Sequence, residues 1–137
     1  MRYSMFEKTK DELILVSRIL LMILFIVFGW EKMTGFSGTV EHLAAIGTPA
    51  PTLAAIVAVV FEVPLAIAIL VGFYTRPVAF LYAFYTIATA LIGHQFWKLT
   101  GIAAVGSEIN FFKNVSIMGG LFLLCVTGPG KYSFDKK

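Results

Sequence analysis

The sequence predicts an all-α membrane protein, a bundle of four transmembrane helices with a short interfacial helix in the first outer loop. Three observations predict this fold class. Hydrophobic residues make up 58% of the chain, against roughly 45–50% in soluble proteins, and charged residues make up 14%, against about 25%. The mean hydropathy is +0.85. Four apolar stretches are each long enough to cross the lipid bilayer. A soluble domain of 137 residues could not cover so much apolar surface with so few charges.

The four apolar stretches are 13–30, 53–73, 78–94 and 109–126. A transmembrane helix needs about 17–25 such residues. Acidic residues precede the first stretch and no small-residue cleavage site follows it, so we interpret it as a permanent span and not as a signal peptide. Because little sequence remains for a second domain, we predict a single domain over residues 1–137.

Proline and glycine mark the breaks between the spans. Thr75-Arg76-Pro77 predicts a tight turn, since proline disfavours helix at the residue before it. The second and third spans are then an antiparallel hairpin. Gly128-Pro129-Gly130 predicts the end of the fourth span. Pro64 lies inside the second span, where it removes a backbone hydrogen bond and predicts a kink.

The longest connection, residues 31–52, contains apolar residues at helical spacing. Phe36, Val40 and Leu43 recur on one face, and Gly47 and Pro49 follow them. This pattern predicts a short amphipathic helix at the membrane interface, ended by the glycine and the proline. The alternative is an irregular loop with scattered apolar residues.

The positions of lysine and arginine predict the orientation, because these residues are enriched on the cytoplasmic side of membrane proteins. With the N-terminus inside, seven basic residues are cytoplasmic: Arg2, Lys8, Lys10, Arg76, Lys131, Lys136 and Lys137. Three are outside: Lys32, Lys98 and Lys113. We therefore expect both termini in the cytoplasm and the connections 31–52 and 95–108 outside. The basic residues form no stripe with interleaved aromatics, so we expect no nucleic-acid partner.

Three charged residues fall within or at the edge of the apolar stretches: Arg18, Glu62 and Lys113. Each costs roughly 2.5–3.5 kcal/mol on insertion scales, so each needs a reason. At a rise of about 1.5 Å per residue, Arg18 lies about 18 Å and Glu62 about 14 Å from the same end of the bundle. An Arg18–Glu62 ion pair is therefore predicted. The pair either only locks two helices together or forms the floor of a polar cavity. The alternative to pairing is that the Arg18 side chain extends to the cytoplasmic edge of the membrane.

Polar residues also gather near the predicted outer end of the bundle. Asn110, Lys113 and Asn114 share one face of the fourth span, since they are three and four residues apart. Glu31, Lys32, His94 and Gln95 lie at the same level. We predict a polar funnel that opens outward with Glu62 at its base. Its candidate ligand-binding residues are Glu62, Lys113, Asn114, Arg18, Lys32 and His94. The alternative is a set of interfacial helix caps.

No metal site is predicted. His42 lies in a connection and His94 at a helix end, whereas a bis-histidine haem needs histidines on facing helices. Cys125 is the only cysteine, so the chain has neither an internal disulfide nor a Cys-x-x-Cys motif.

Several motifs, in this order and spacing, resemble the DoxX family, and within it the YqjF-like branch of bacterial inner-membrane proteins. They are Arg18, Gly29-Trp30-Glu31-Lys32-Met33-Thr34-Gly35, Glu62, Gly72-Phe73-Tyr74-Thr75-Arg76, His94, Phe112-Lys113-Asn114, Gly119-Gly120 and Thr127-Gly128-Pro129-Gly130-Lys131-Tyr132-Ser133. The resemblance covers nearly the whole chain. It implies a four-helix fold in the bacterial plasma (inner) membrane. The family takes its name from a subunit of an archaeal thiosulfate:quinone oxidoreductase, and other members are associated with redox and thiol-stress systems.

Two functional hypotheses follow. The first is a quinone-linked redox membrane subunit, in which Lys113 and Asn114 donate hydrogen bonds to a quinone and Glu62 exchanges its proton. Tyr85 and Phe84 offer flat surfaces for the ring. The alternative is a non-catalytic membrane subunit that recruits or anchors a partner protein. The partners expected are the lipid bilayer, a redox partner protein and a second copy of the chain.

Overall fold

The computed structural model describes residues 5–135, which contain five α-helices and no strand. Four helices are long and apolar enough to cross a membrane. They are α1 (Lys10–Thr34), α3 (Pro51–Val71), α4 (Thr75–Gly93) and α5 (Gly101–Thr127). The short helix α2 (Phe36–Ala45) connects α1 to α3. The predicted bundle of four spanning helices is confirmed. The first connection is a helix, so the alternative of an irregular loop is wrong.

Two boundaries differ from those predicted. Thr75 begins α4, and the turn before it comprises Gly72, Phe73 and Tyr74, of which Gly72 has a φ of +74°. Pro77 is tolerated because it lies in the first turn of a helix, where its missing N–H needs no partner. The helix α5 begins at Gly101, well before the predicted apolar stretch. Its 27 residues extend about 40 Å, which is longer than the hydrocarbon core of about 30 Å.

The main buried core lies in the half of the bundle that contains both ends of the described chain. All four long helices contribute buried residues to this core: Met22, Phe25, Ala66, Ile69, Ala79, Tyr82, Ala83, Leu121 and Leu124. We name this half the terminal end and the opposite half the α2 end. Small alanines on α3 and α4 allow close helix contact at the terminal end. The candidate site residues other than Arg18 lie towards the α2 end.

The segment after α5 folds back over the terminal end. Gly128 has a φ of +73° and ends α5, as the glycine-proline motif predicted. The backbone N–H of Lys131 donates to Asp11 Oδ1 at 3.1 Å, which ties this segment to the start of α1. Both ends of the described chain therefore lie on the same side of the bundle.

Candidate functional site

Glu62 occupies the centre of the polar cluster, and both of its carboxylate oxygens are bonded. The residue is only 4% exposed. Lys32 Nζ lies 2.6 Å from Glu62 Oε1 and forms an ion pair with it. The hydroxyl of Tyr85 donates a hydrogen bond to Glu62 Oε2 at 2.5 Å. A buried charge is costly unless it is paired and hydrogen-bonded, and here α1 and α4 supply the two partners.

A local change in helix geometry positions Glu62. Residues Phe61–Leu65 form a π-helical turn within α3, and the N–H of Ala66 bonds to the carbonyl of Phe61, five residues earlier. Pro64 lies within this turn; it has no N–H and its ring crowds the preceding turn. The sequence predicted a kink at Pro64, and the structure has a π turn at this position. Single π turns inside α-helices occur frequently at functional sites.

Aromatic rings form one side of the cluster. The ring of Phe61 stacks on that of Tyr85, with centroids 4.4 Å apart and planes at 9°. Tyr82 makes edge contacts with Phe25 at 4.8 Å and with Phe61 at 5.6 Å. These contacts hold the Tyr85 ring in the orientation that directs its hydroxyl at Glu62.

A cavity of about 580 Å³ extends from Glu62 towards the α2 end. One part of its wall is polar: Lys32, Thr39, His42, Glu62, Tyr85, Thr89, His94, Asn110, Lys113 and Asn114. Much of the remainder is apolar: Leu24, Phe28, Leu43, Ile46, Leu53, Ala54, Val57, Ala58 and Ile92. The volume is within the usual range of small-molecule sites, which combine apolar walls with a few polar groups. Of the six candidate residues from the sequence, the cavity brings together all except Arg18.

Arg18 lies at the terminal end, and the predicted Arg18–Glu62 ion pair is wrong. Its guanidinium donates hydrogen bonds to the carbonyls of Ile69, Leu70 and Tyr132. The carbonyls at a helix C-terminus lack partners within the helix and attract a cation. The depth estimate failed because it assumed that the apolar stretches of α1 and α3 end at the same level, and the continuation of α1 to Thr34 accounts for only part of the error. Glu62 packs beside Gly29, which lies eleven residues beyond Arg18, or about 16 Å along the helix.

The polar residues of α5 have different roles. Asn114 is buried, and its amide nitrogen donates to the carbonyl of Thr86 and to the hydroxyl of Thr89, each at 3.1 Å. An amide nitrogen has two hydrogens, so Asn114 ties α5 to α4 and is not available as the predicted donor to a ligand. Lys113 is exposed and bonds to Asn110 Oδ1 at 3.3 Å. Its ammonium retains hydrogens for a ligand.

The sequence analysis did not predict that Tyr85 bonds to Glu62, nor that Thr89 lies in the cavity wall. Their spacing was the available signal, because positions i and i+4 of a helix share one face. Conversely, Glu31 and Gln95 do not line the cavity, and the Gln95 side chain bonds to the carbonyl of Leu91. Within residues 5–135, no three His, Cys, Asp or Glu residues form a group that could hold a metal ion.

Comparison with known proteins agrees with the predicted family. Residues 13–95 match the DoxX family model. The chain is 52% identical over 137 residues to the Escherichia coli inner membrane protein YphA, covering 100% of this chain and 98% of that protein. It is 41% identical over 130 residues to the Escherichia coli inner membrane protein YqjF, covering 95% of each. A Caenorhabditis elegans protein, T02E1.7, is 37% identical over 65 residues, or 47% of this chain and 24% of that protein.

No solved structure matches the chain. The family match and the two bacterial relatives confirm the resemblance that the sequence motifs indicated. The four apolar helices agree with the membrane location of those relatives. This multi-pass inner-membrane protein belongs to the DoxX family.

Proposed function

We propose that the chain is a quinone-binding membrane subunit, whose cavity holds the head group of a lipophilic quinone or quinol near Glu62. One observation carries the proposal. A buried carboxylate bonded to both a lysine and a tyrosine lies in the wall of a cavity whose other surfaces are largely apolar. An amphipathic ligand with an oxygen-bearing head suits such a cavity, because it satisfies both kinds of wall.

The side chains divide into those that contact the head group and those that contact its apolar part. A quinone presents two carbonyl oxygens that accept hydrogen bonds, and the ammonium groups of Lys32 and Lys113 are donors in the cavity wall. Leu24, Phe28 and Val57 provide apolar surface. When bound, the quinone takes up two electrons and two protons and becomes the quinol. The electrons would come from a redox partner protein, one proton would be exchanged with Glu62 and the other with water.

Ligand binding distinguishes this function from anchoring of a partner protein, which requires no ligand in the cavity. The test is calorimetric titration of the purified protein in lipid nanodiscs with a short-tailed ubiquinone. We expect saturable binding to the wild type and affinity lowered about tenfold by Glu62→Gln, since one charged hydrogen-bonding group is lost. Glu41→Gln is the matched control, because Glu41 is exposed on α2 and outside the cavity wall.

A loss of affinity caused by misfolding can be distinguished from one caused by the loss of a contact with the ligand. Circular dichroism establishes that each variant remains helical before its affinity is compared. Absence of binding to the folded wild type would refute the proposed function. Equal affinities of the wild type and the Glu62→Gln variant for the quinone would show that Glu62 does not contribute to binding.

We further propose that the terminal end faces the cytoplasm and that the α2 end faces outward. The support is the seven-to-three distribution of basic residues over the two sides. In this orientation the cavity lies in the outer half of the membrane, where it is accessible to a quinone that diffuses in the bilayer.

A further inference from the structure

We infer that the quinone bound in the cavity carries an acidic hydroxyl in its ionised form, and that Lys113 is the residue that recognises this anion. The inference rests on the proposed function and specifies the chemical class of the ligand. It is argued from the balance of charges in the cavity wall.

The ion pair at the base of the cavity is neutral as a whole. Among the described lining residues, Glu62 is the only acidic one, and Lys32, Lys113, His42 and His94 are the basic types. Lys32 and Glu62 neutralise each other at 2.6 Å. The second oxygen of Glu62 is occupied by the Tyr85 hydroxyl. Because Lys32 balances its charge, Glu62 has no net charge left to balance a second cation.

Lys113 forms no ion pair within 4.0 Å among the described residues, and Glu108 lies with it along an adjoining surface groove, outside the cavity wall. Its hydrogen bond is to the neutral amide oxygen of Asn110, at 3.3 Å. In the part of the chain that the structure describes, Lys32 with Glu62 is the only ion pair between side chains. Lys32, Lys113 and His94 all line the cavity. A lysine ammonium has three hydrogens, and two remain for a ligand.

The helix ends at the cavity do not change this sign. Ala50 and Leu53, at the start of α3, line the cavity and bring the positive end of that helix dipole to it. Gly93, at the end of α4, brings a negative end. Ile46, at the end of α2, brings a second negative end. Each helix end acts as roughly half a charge, so the three ends together leave about half a negative charge, which does not cancel the full positive charge of Lys113. The charge of Lys113 therefore determines which head group is preferred.

An ionised oxygen is the group that this cation favours. Hydrogen bonds in which both partners are charged are about twice as strong as neutral ones. A neutral quinone of the same shape receives an ordinary hydrogen bond from Lys113. The difference in affinity between an ionised quinone and a neutral quinone of the same shape therefore measures the contribution of the charge.

The experiment compares lawsone, a hydroxynaphthoquinone that is ionised at neutral pH, with its neutral methyl ether. Each is titrated calorimetrically into the protein in nanodiscs of uncharged lipid. We expect the wild type to bind lawsone about tenfold more tightly than the ether, since a charge-assisted bond replaces an ordinary one. Lys113→Gln should abolish this preference by lowering the affinity for lawsone more than the affinity for the ether, and Lys113→Arg should retain it. Lys98→Gln is the matched control, because Lys98 is exposed and outside the cavity wall.

The results separate this inference from the proposed function. Equal affinity of the wild type for lawsone and its ether would overturn the anionic ligand while leaving quinone binding intact. A preference for lawsone that survives Lys113→Gln would overturn the role of Lys113. Absence of binding of both compounds would refute the proposed function and this inference with it.

Discussion

Gly29 of α1 lies directly against Glu62 of α3. A β-carbon built at position 29 would lie only 2.6 Å from the Glu62 Cβ and 2.7 Å from its carbonyl oxygen. The missing side chain lets the backbone of α1 approach the π turn that holds the glutamate. Lys32 is three residues further along α1 and therefore on the same face. The glycine thus brings the lysine within reach of the carboxylate.

This contact predicts that Gly29→Ala is destabilising. The added methyl group collides with backbone atoms of α3 that cannot move aside, and overpacking of this kind costs about 1–3 kcal/mol. The matched control is Gly106→Ala in α5, where an added Cβ meets nothing within 4 Å. We expect this control to be neutral or slightly stabilising, since alanine is the better helix former. Thermal unfolding in detergent measures both, and equal stability of the two variants would contradict the close contact.

Two neighbouring tyrosines of α4 provide a second comparison. Tyr85→Phe leaves Glu62 Oε2 without its hydrogen bond, and we expect a loss of about 1–3 kcal/mol in stability, as for other buried groups left unsatisfied. Tyr82 is fully buried, and its hydroxyl has no hydrogen-bond partner among the described residues. Tyr82→Phe should therefore change the stability by less than about 0.5 kcal/mol. The same unfolding assay would refute the assigned hydrogen bond if the two variants behaved alike.

The ion pair of Glu62 can be assigned by a double-mutant cycle. Lys32→Gln and Glu62→Gln should each destabilise, and the double variant should cost less than their sum by about 1 kcal/mol or more, because it leaves no unpaired buried charge. Arg18→Gln serves as the comparison. Since Arg18 binds carbonyls at the terminal end, its effect and that of Glu62→Gln should add. If the effects of the Glu62 and Arg18 substitutions were coupled and those of Glu62 and Lys32 were additive, the Lys32–Glu62 ion pair would be contradicted.

Sequence patterns predict the fold of this chain better than its contacts. The lengths of the apolar stretches, the glycine-proline stop after Thr127 and the helical spacing from Phe36 to Leu43 depend on local properties. The structure confirms the helices that they predict. The predicted turn at Thr75-Arg76-Pro77 was wrong, because α4 already begins at Thr75. In the sequence, a proline in the first turn of a helix cannot be distinguished from a proline in a turn between helices. Pro77 lies inside the helix because the chain turns earlier, at Gly72, where the C-terminal segment packs against it.

The partner of Glu62 could not be predicted from depth alone. Position along a helix gives a level in the membrane, but here α1 continues beyond the apolar stretch to Thr34. Contact also depends on which helix faces meet. Gly29 and the π turn determine which faces of α1 and α3 meet. A π turn rotates the residues that follow it around the helix axis, and the hydropathy of the sequence gives no sign of this rotation. The carbonyls that bind Arg18 carry no sequence signal, because every residue has one.

The C-terminal segment provides a pH-dependent contact outside the membrane-spanning helices. Asp135 Oδ1 accepts the N–H of Tyr74 at 2.9 Å, and Oδ2 accepts that of Thr75 at 2.7 Å. Desolvation alone would raise the pKa of the Asp135 carboxyl. These hydrogen bonds, with the charge of Arg18, outweigh it and hold the pKa below the ordinary 3.8. The carboxylate thus caps the start of α4, where unpaired N–H groups favour an anion.

A carboxyl whose pKa is lower in the folded state stabilises the fold above its unfolded pKa and loses this contribution as the pH falls through the folded value. Asp135→Asn should therefore lower the melting temperature at neutral pH. The difference from the wild type should shrink as the pH falls below about 3.8, because the carboxyl is protonated first in the unfolded chain and then, at lower pH, in the folded protein. Melting temperatures measured down to about pH 3 test this expectation. A difference that stays constant with pH would refute the role of the ionised carboxylate.

The proposed orientation is tested by chemical labelling of single cysteines. In a Cys125→Ala background, Glu41→Cys places a thiol on α2 and Met5→Cys places one before α1, and both positions are exposed. Neither change alters the distribution of lysine and arginine that determines insertion. With the α2 end outside, a membrane-impermeant maleimide should label position 41 in intact cells. It should label position 5 only after the membrane is broken. Labelling of position 5 in intact cells, with position 41 protected, would place the cavity on the cytoplasmic side and reverse the side from which a partner protein reaches it.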